Sequence, residues 1–210
     1  MTLSDMLNLI LSTITIFIAA LALILTYKQI KLSNKQHLFD RRLDNYLLIK
    51  DILSLYNVNK SFIDDKDIYK NVKLLFLWLT NCKRLENIAP VIKEPTNEEL
   101  KRNFLIKCEE LEKSANEILL LWQESLSRDL YNFVNDYVFL LHALYKQQLA
   151  IGRISPQIHE GISSKAEVDE QLKECAEHIS LFKITQKLKE LYDKIVDEKI
   201  EQKLTQSLRL

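Results

Sequence analysis

Arg153 and His159 are the residues whose types and spacing come closest to a catalytic pair. Five residues separate them in the stretch RISPQIH. An arginine can hold a phosphate through charge-assisted hydrogen bonds while a histidine acts as a general base. The spacing therefore indicates one candidate pair for phosphodiester cleavage.

The same stretch resembles the R-x(4–6)-H motif of small helical ribonucleases of the HEPN type. That resemblance implies a ribonuclease with Arg153 and His159 as its catalytic residues. Two features depart from the motif. Ile154 stands where family members usually have a polar residue, and Pro156 interrupts the helix on which the pair should sit. The ribonuclease is kept as one alternative.

Other catalytic templates are missing from the sequence. It contains no HExxH or CxxC for a metal and no GxSxG for a nucleophile, and its two glycines cannot form a phosphate-binding loop. We read Cys82, Cys108 and Cys175 as small apolar residues of a reducing compartment. We therefore expect no cofactor, no metal site and no enzymatic activity.

The chain is organised around Met6–Tyr27, a continuous stretch without a charged residue. A helix of that length, at about 1.5 Å per residue, reaches roughly 33 Å, enough to cross a hydrocarbon core of about 30 Å. A cleaved signal peptide is the rival interpretation, since Ala20-Leu-Ala22 resembles a cleavage site. No Lys or Arg precedes the stretch, however, and it continues past Ala22. We expect residues 1–27 to be a transmembrane anchor.

Charges that flank the apolar stretch predict its orientation. Only Asp5 precedes it, whereas a group of cations follows it closely, and cationic flanks stay on the cytoplasmic side. We expect a single-pass protein of the inner or plasma membrane, with its N-terminus outside and the rest in the cytoplasm. The cations expected at the membrane interface, beside the lipid bilayer, are Lys28, Lys31, Lys35, Arg41 and Arg42.

Small and polar residues of the anchor recur at steps of 4, 3, 4, 3 and 4, which places them on one seam of a left-handed helix pair. Such residues let helices approach closely in lipid, so the pattern predicts a homo-oligomer. Ordinary transmembrane composition is the alternative. The seam consists of Asn8, Ser12, Thr15, Ala19, Ala22 and Thr26.

The rest of the chain has the composition of an all-α protein. The sequence holds two glycines and three prolines, too few for the turns of a multi-stranded sheet. We expect residues 28–57 to form a basic neck and the first bundle helix, and residues 58–210 a cytosolic bundle, with about five helices in all. The net charge is zero, so no nucleic-acid partner is expected.

Periodicity and turn residues predict the individual helices of this bundle. A turn is expected over residues 57–65, and the apolar run Leu74–Leu79 should lie in a central helix. A second helix is expected over 66–87. A capping box at Thr96–Glu99 should open the third helix, whose apolar positions recur at helical steps: Leu100, Phe104, Cys108, Leu111, Ala115, Ile118 and Trp122. The fourth helix should end near Ile151, and its residues expected to face inward are Leu130, Phe133, Val134, Tyr137, Val138, Leu141, Leu144 and Tyr145.

A loop is expected over Gly152–Ser163, followed by a capping box at Ser164–Glu167 and one long final helix that includes both Val168 and Leu204. The end of that helix either projects as a partner-binding helix or folds along the neck, and the sequence does not decide between them.

The segment Phe39-Asp-Arg-Arg-Leu-Asp-Asn-Tyr46 carries a second resemblance. An amino-terminal span, a basic neck and F-D-x-R-x-x-x-Y together resemble uncharacterised bacterial single-pass membrane proteins, some of them linked to phage defence. The resemblance extends from the start of the chain to about Lys50. It implies a membrane-anchored, self-associating effector or signalling component. The alternatives are a scaffold that recruits a cytosolic protein partner through the final helix, and the ribonuclease above.

Overall fold

The computed structural model describes residues 3–208, without the side chains of residues 5, 7, 9 and 159. Over this range the protein is all-α, as the composition predicts. Its elements are α1 Leu3–Ile63, α2 Val72–Leu79, a 3₁₀ helix Glu86–Ile92, α3 Glu98–Leu121, α4 Glu124–Ile154, α5 Pro156–His159, α6 Lys165–His178, α7 Leu181–Asp197 and α8 Ile200–Ser207.

Two compact units share helix α1. The first unit is Met1–Arg42 and the second is Leu43–Leu210. The helix is continuous from Leu3 to Ile63, which is consistent with the absence of Gly and Pro over this range.

Helix α1 ends at Ile63, beyond the start of the turn expected at residues 57–65. The polar residues there do not stop the helix, because most of them lie on its exposed side. Asn59 donates a hydrogen bond to the carbonyl of Leu55 at 2.8 Å, within the helix. Ile63 is only 1% exposed, so core packing holds the last turn in place.

The expected second helix over residues 66–87 is shorter in the structure, where α2 covers Val72–Leu79. The chain before it forms turns, and Thr80 ends it. The apolar run Leu74–Leu79 is not covered on all sides, because Leu74 is 47% exposed while Phe76 and Leu79 are fully buried. Helix α2 therefore packs through one face, and the central position belongs to another helix.

That central helix is α4, which packs against α2, α3, α6 and α7. The expected fourth helix is thus confirmed. Other helices cover it on more than one side. Its expected inward residues are all buried: Leu130, Phe133, Val134, Tyr137, Val138, Leu141, Leu144 and Tyr145.

Aromatic rings fill the core where α1, α4 and α7 meet. The ring of Phe133 lies 5.5 Å from that of Tyr56 and 6.3 Å from that of Tyr192. Tyr137 is fully buried and its hydroxyl donates to the carbonyl of Leu79, which ties α4 to the end of α2. Burial raises the pKa of the Tyr56 and Tyr137 hydroxyls. Both hydroxyls therefore stay protonated and neutral.

One of the two expected capping boxes is confirmed. Ser164 Oγ accepts from the amide of Glu167, and the Glu167 carboxylate accepts from the amide of Ser164 at 2.7 Å. The other expected box, at Thr96–Glu99, is wrong. Asn97 caps α3 instead, because its side-chain oxygen accepts from the amides of Glu99 and Leu100.

The expected long final helix is divided into α6, α7 and α8. Ser180 and Lys199 separate them with φ of 61° and 54°, in the left-handed region. The first residue after each break, Leu181 or Ile200, is fully buried. Each break therefore turns the apolar face of the next helix back onto the core. The expected loop at 152–163 is also shorter, since α4 continues to Ile154 and α5 follows.

Candidate membrane anchor

The first unit presents a continuous apolar surface. Every described side chain from residue 10 to residue 32 is exposed on all sides of α1. Phe17 is 66% exposed and Leu23 is 72% exposed, values that apolar side chains of a folded core do not reach. Within residues 3–208, α1 is the helix that is long and apolar enough to cross a membrane, and none of its most apolar window is buried.

The hydrogen bonds of this segment suit an apolar solvent. An α-helix satisfies its own backbone, which a lipid environment demands. Thr15 Oγ1 donates to the carbonyl of Leu11 and Thr26 Oγ1 to the carbonyl of Ala22, each at 2.8 Å. Both hydroxyl protons are thus used within the helix. Contact between two helices along the seam would then depend on small side chains and on the more polar Asn8 and Ser12.

All six residues of the seam lie on α1 and are exposed. Because the helix is continuous, their steps of 3 and 4 keep them along one face. The structure therefore leaves the seam accessible to a second helix; the self-association itself stays a prediction.

The expected interface cations follow the apolar surface along the same helix. Lys28, Lys31 and Lys35 are exposed and, at steps of 3 and 4, share one face. Arg41 is exposed, whereas Arg42 is half-buried. The long alkyl stems of such residues can follow apolar surface while their charges remain in water.

The candidate catalytic pair is placed on two different helices. Arg153 is exposed in the last turn of α4. His159 closes α5, which begins at Pro156, and its side chain lies outside the described residues. Helix α4 ends before Pro156, as expected from a residue that lacks a backbone N–H. The two residues therefore do not share the single helix that the ribonuclease motif implies.

Metal ligands and reactive thiols are the remaining kinds of site to consider. In the part of the chain that the structure describes, His, Cys, Asp and Glu side chains form no group of three that could hold a metal ion. Cys108 is buried, and burial raises the pKa of its thiol to about 12, so it stays protonated. Cys82 and Cys175 are half-buried and free.

The end of the F-D-x-R-x-x-x-Y segment contacts other helices of the second unit. Asn45 Nδ2 donates a hydrogen bond to the Glu117 carboxylate at 3.1 Å. Tyr46, in the second unit, accepts a hydrogen bond from Thr205 Oγ1 at 3.1 Å. Phe39 is half-buried. The contact of Tyr46 attaches α8 to α1, which is a packing role.

Helix α8 docks on the bundle, a point that the sequence did not decide. Ile200 and Leu204 are fully buried, and Trp122 Nε1 donates to Ser207 Oγ at 2.9 Å. The spacing of Ile200 and Leu204, one turn apart, was the signal in the sequence for this apolar face.

Comparisons with protein-family models, with curated proteins and with solved structures gave no match to this chain.

Proposed function

We propose that this chain is a single-pass membrane protein with a cytoplasmic helical domain that acts as an effector or signalling component. The observation that carries the proposal is that every residue from 10 to 32 is exposed, on all sides of the helix. A surface of this kind costs about 25 cal/mol per Å² in water, and insertion in a bilayer removes that cost.

Charge around the segment supports the orientation. The cationic residues from Lys28 to Arg42 all follow the apolar surface, and the first residues of the chain contain no Lys or Arg. Loops rich in Lys and Arg remain on the cytoplasmic side. The domain from Leu43 onward would then be cytoplasmic, attached by a helix that is continuous with the anchor.

Self-association through the seam is the second part of the proposal. A change in assembly at the membrane would perturb the bilayer or a membrane partner without any covalent chemistry. Bacterial phage defence is the setting implied by the segment from Phe39 to Tyr46. The buried apolar face of α8 favours this function over partner recruitment by a projecting final helix.

Growth and membrane potential after induction test the effector proposal. Cells would express the full chain or a copy lacking residues 1–27. We expect depolarisation and slowed growth only with the anchor present. Toxicity that persists without the anchor would contradict the proposal and direct attention to Arg153 and His159.

Cross-linking tests the seam with a matched pair of variants. In a chain whose three native cysteines are replaced by alanine, Ser12→Cys places a thiol on the seam and Thr13→Cys places one beside it. We expect disulfide-linked dimers in membranes from the first variant only. Equal yields from both would remove the seam as an interface.

A further inference from the structure

A cavity of about 380 Å³ lies in the second unit between α1, α7 and α8. Its volume is at the lower end of the range for small-molecule sites. All of its lining residues belong to the second unit, from Lys50 to Gln202. It is therefore a feature of the helical domain and does not depend on the anchor.

Two lysines line this cavity without a carboxylate partner. Neighbouring lysines of α7 are paired: Lys189 lies 2.6 Å from Asp64, and Lys194 lies 2.9 Å from Asp129. Within residues 3–208, neither Lys50 nor Lys199 is within ion-pair distance of a carboxylate.

The cavity wall also carries one acidic residue, Glu201. With Lys50 and Lys199 it leaves one net positive charge in the lining. Outside the lining, two charges offset one another at the Tyr192 ring, since Lys60 Nζ lies 6.0 Å from its centre and the Asp193 carboxylate acts on the same side chain. The lining itself therefore favours an anion.

Neutral hydrogen-bond donors complete the wall. Ser54, Asn57 and Gln202 all line the cavity. Helix α8 begins there, and no side chain caps its first turn. Over the described residues, the amide of the lining residue Glu201 donates to no carbonyl outside its helix. Lysines, hydroxyl and amide groups, and free amides at a helix start are the donors that phosphate oxygens accept from.

We propose that this cavity binds a phosphate-bearing small anion, with Lys50 and Lys199 holding the phosphate. The phosphate can belong to a soluble molecule or to a lipid headgroup, since the recognition chemistry is the same. Such a ligand would bridge α1 and the α7–α8 break, and so stabilise α8 in its docked position.

Inorganic pyrophosphate is the probe for this site. Its binding to the full chain in a non-ionic detergent would be measured by titration calorimetry, with chloride used to keep the ionic strength constant. We expect saturable binding of one pyrophosphate per chain. Each charge-assisted hydrogen bond contributes to the free energy of pyrophosphate binding. Lys50→Gln or Lys199→Gly should therefore weaken that binding roughly tenfold.

Two controls accompany these variants, one for folding and one for the position of the lysine. Lys199→Gly removes the amine and also relieves the left-handed backbone at φ 54°, so its melting temperature without ligand should be equal to or above that of the wild type. Lys183→Gln is the matched control, because Lys183 is exposed on α7 and does not line the cavity. Its pyrophosphate affinity should be unchanged.

The source of the phosphate is resolved by repeating the titration in vesicles. One set of vesicles contains phosphatidic acid, and the other contains phosphatidylcholine with enough oleate to give the same surface charge. If pyrophosphate binds more weakly in the phosphatidic-acid vesicles, the lipid headgroup competes for the cavity and is the ligand. Equal binding would identify a soluble ligand. Absence of pyrophosphate binding in detergent, or an equal loss in Lys183→Gln and Lys50→Gln, would overturn the proposed site and leave the membrane anchor unaffected.

Discussion

A lysine placed in the middle of the exposed apolar segment should weaken membrane insertion. Phe17 lies near the centre of Met6–Tyr27 and is 66% exposed. A Phe at the centre of a span contributes about −0.3 to −0.6 kcal/mol to insertion, whereas a Lys costs about 2.5–3.5 kcal/mol. The change Phe17→Lys should therefore cost about 3–4 kcal/mol.

The whole span gives a scale for that cost. Met6–Tyr27 contains 12 Leu, Ile and Phe residues. If each contributed the insertion free energy of a residue at the centre of a span, together they would contribute at most about −4 to −7 kcal/mol. Polar residues such as Asn8 make the total less favourable. One lysine should thus leave insertion marginal. A second, in Phe17→Lys/Leu21→Lys, brings the cost to about 6–8 kcal/mol and should abolish insertion.

Alkaline carbonate extraction of membranes measures this loss directly. We expect the wild type in the pellet, Phe17→Lys divided between pellet and supernatant, and the double variant in the supernatant. Phe139→Lys is the matched control, because Phe139 is 53% exposed in the helical domain and should leave the chain in the pellet. A double variant that still resists extraction would refute the anchor.

Four further changes probe the domain through its free energy of unfolding, measured by denaturant in a non-ionic detergent. Phe133→Ala should cost about 3–5 kcal/mol, because it empties a fully buried position among aromatic rings. Ser180→Gly should gain about 0.5–1 kcal/mol by relieving its left-handed backbone, and Ser164→Ala should cost about 1 kcal/mol by removing a helix cap. Burial, helped by the charge of Lys146, lowers the pKa of His142. As the pH falls, the imidazole is therefore protonated in the unfolded chain before it is protonated in the folded one. Stability should therefore fall as the pH drops below about 6.5 and level off below the folded pKa, and His142→Gln should remove this part of the slope.

Each of these expectations has a specific result that would contradict it. A cost below about 1 kcal/mol for Phe133→Ala would mean that the aromatic cluster is loosely packed. Equal effects of the two serine changes would contradict their different backbone roles. An unchanged pH slope in His142→Gln would show that other groups titrate in this range.

Periodicity predicted the buried face of α3 and α4, because every expected position there faces the same core. It failed at the helix breaks. Ser180 and Lys199 are ordinary residues with no local preference for the left-handed region, so only the packing of Leu181 and Ile200 fixes those turns. The cap at Asn97 was missed for a local reason: Thr96 and Asn97 can both cap a helix, and the sequence does not show which side chain reaches the free amides.

The apolar segment and the cavity also differ in how far the sequence predicts them. The apolar segment that we propose as the anchor can be found from the sequence, because its signal is a contiguous run of residues. The lysines of the cavity, Lys50 and Lys199, are far apart in the chain and come together only when α1 packs beside α7 and α8. No spacing rule connects such residues before the fold is known.

Helix α1 shows how one residue class serves two environments. From residue 10 to residue 32 its apolar residues are exposed on every side, whereas in the second unit they follow one face, from Leu48 and Ile49 through Ile52 to Tyr56. An apolar face on one side implies a protein core beside it, and apolar residues all round imply a surrounding apolar solvent. The change occurs without a break in the helix, since neither pattern disturbs backbone hydrogen bonding. The sidedness of the apolar residues, more than their number, is therefore the feature of α1 on which the proposal of a lipid environment for residues 10–32 rests.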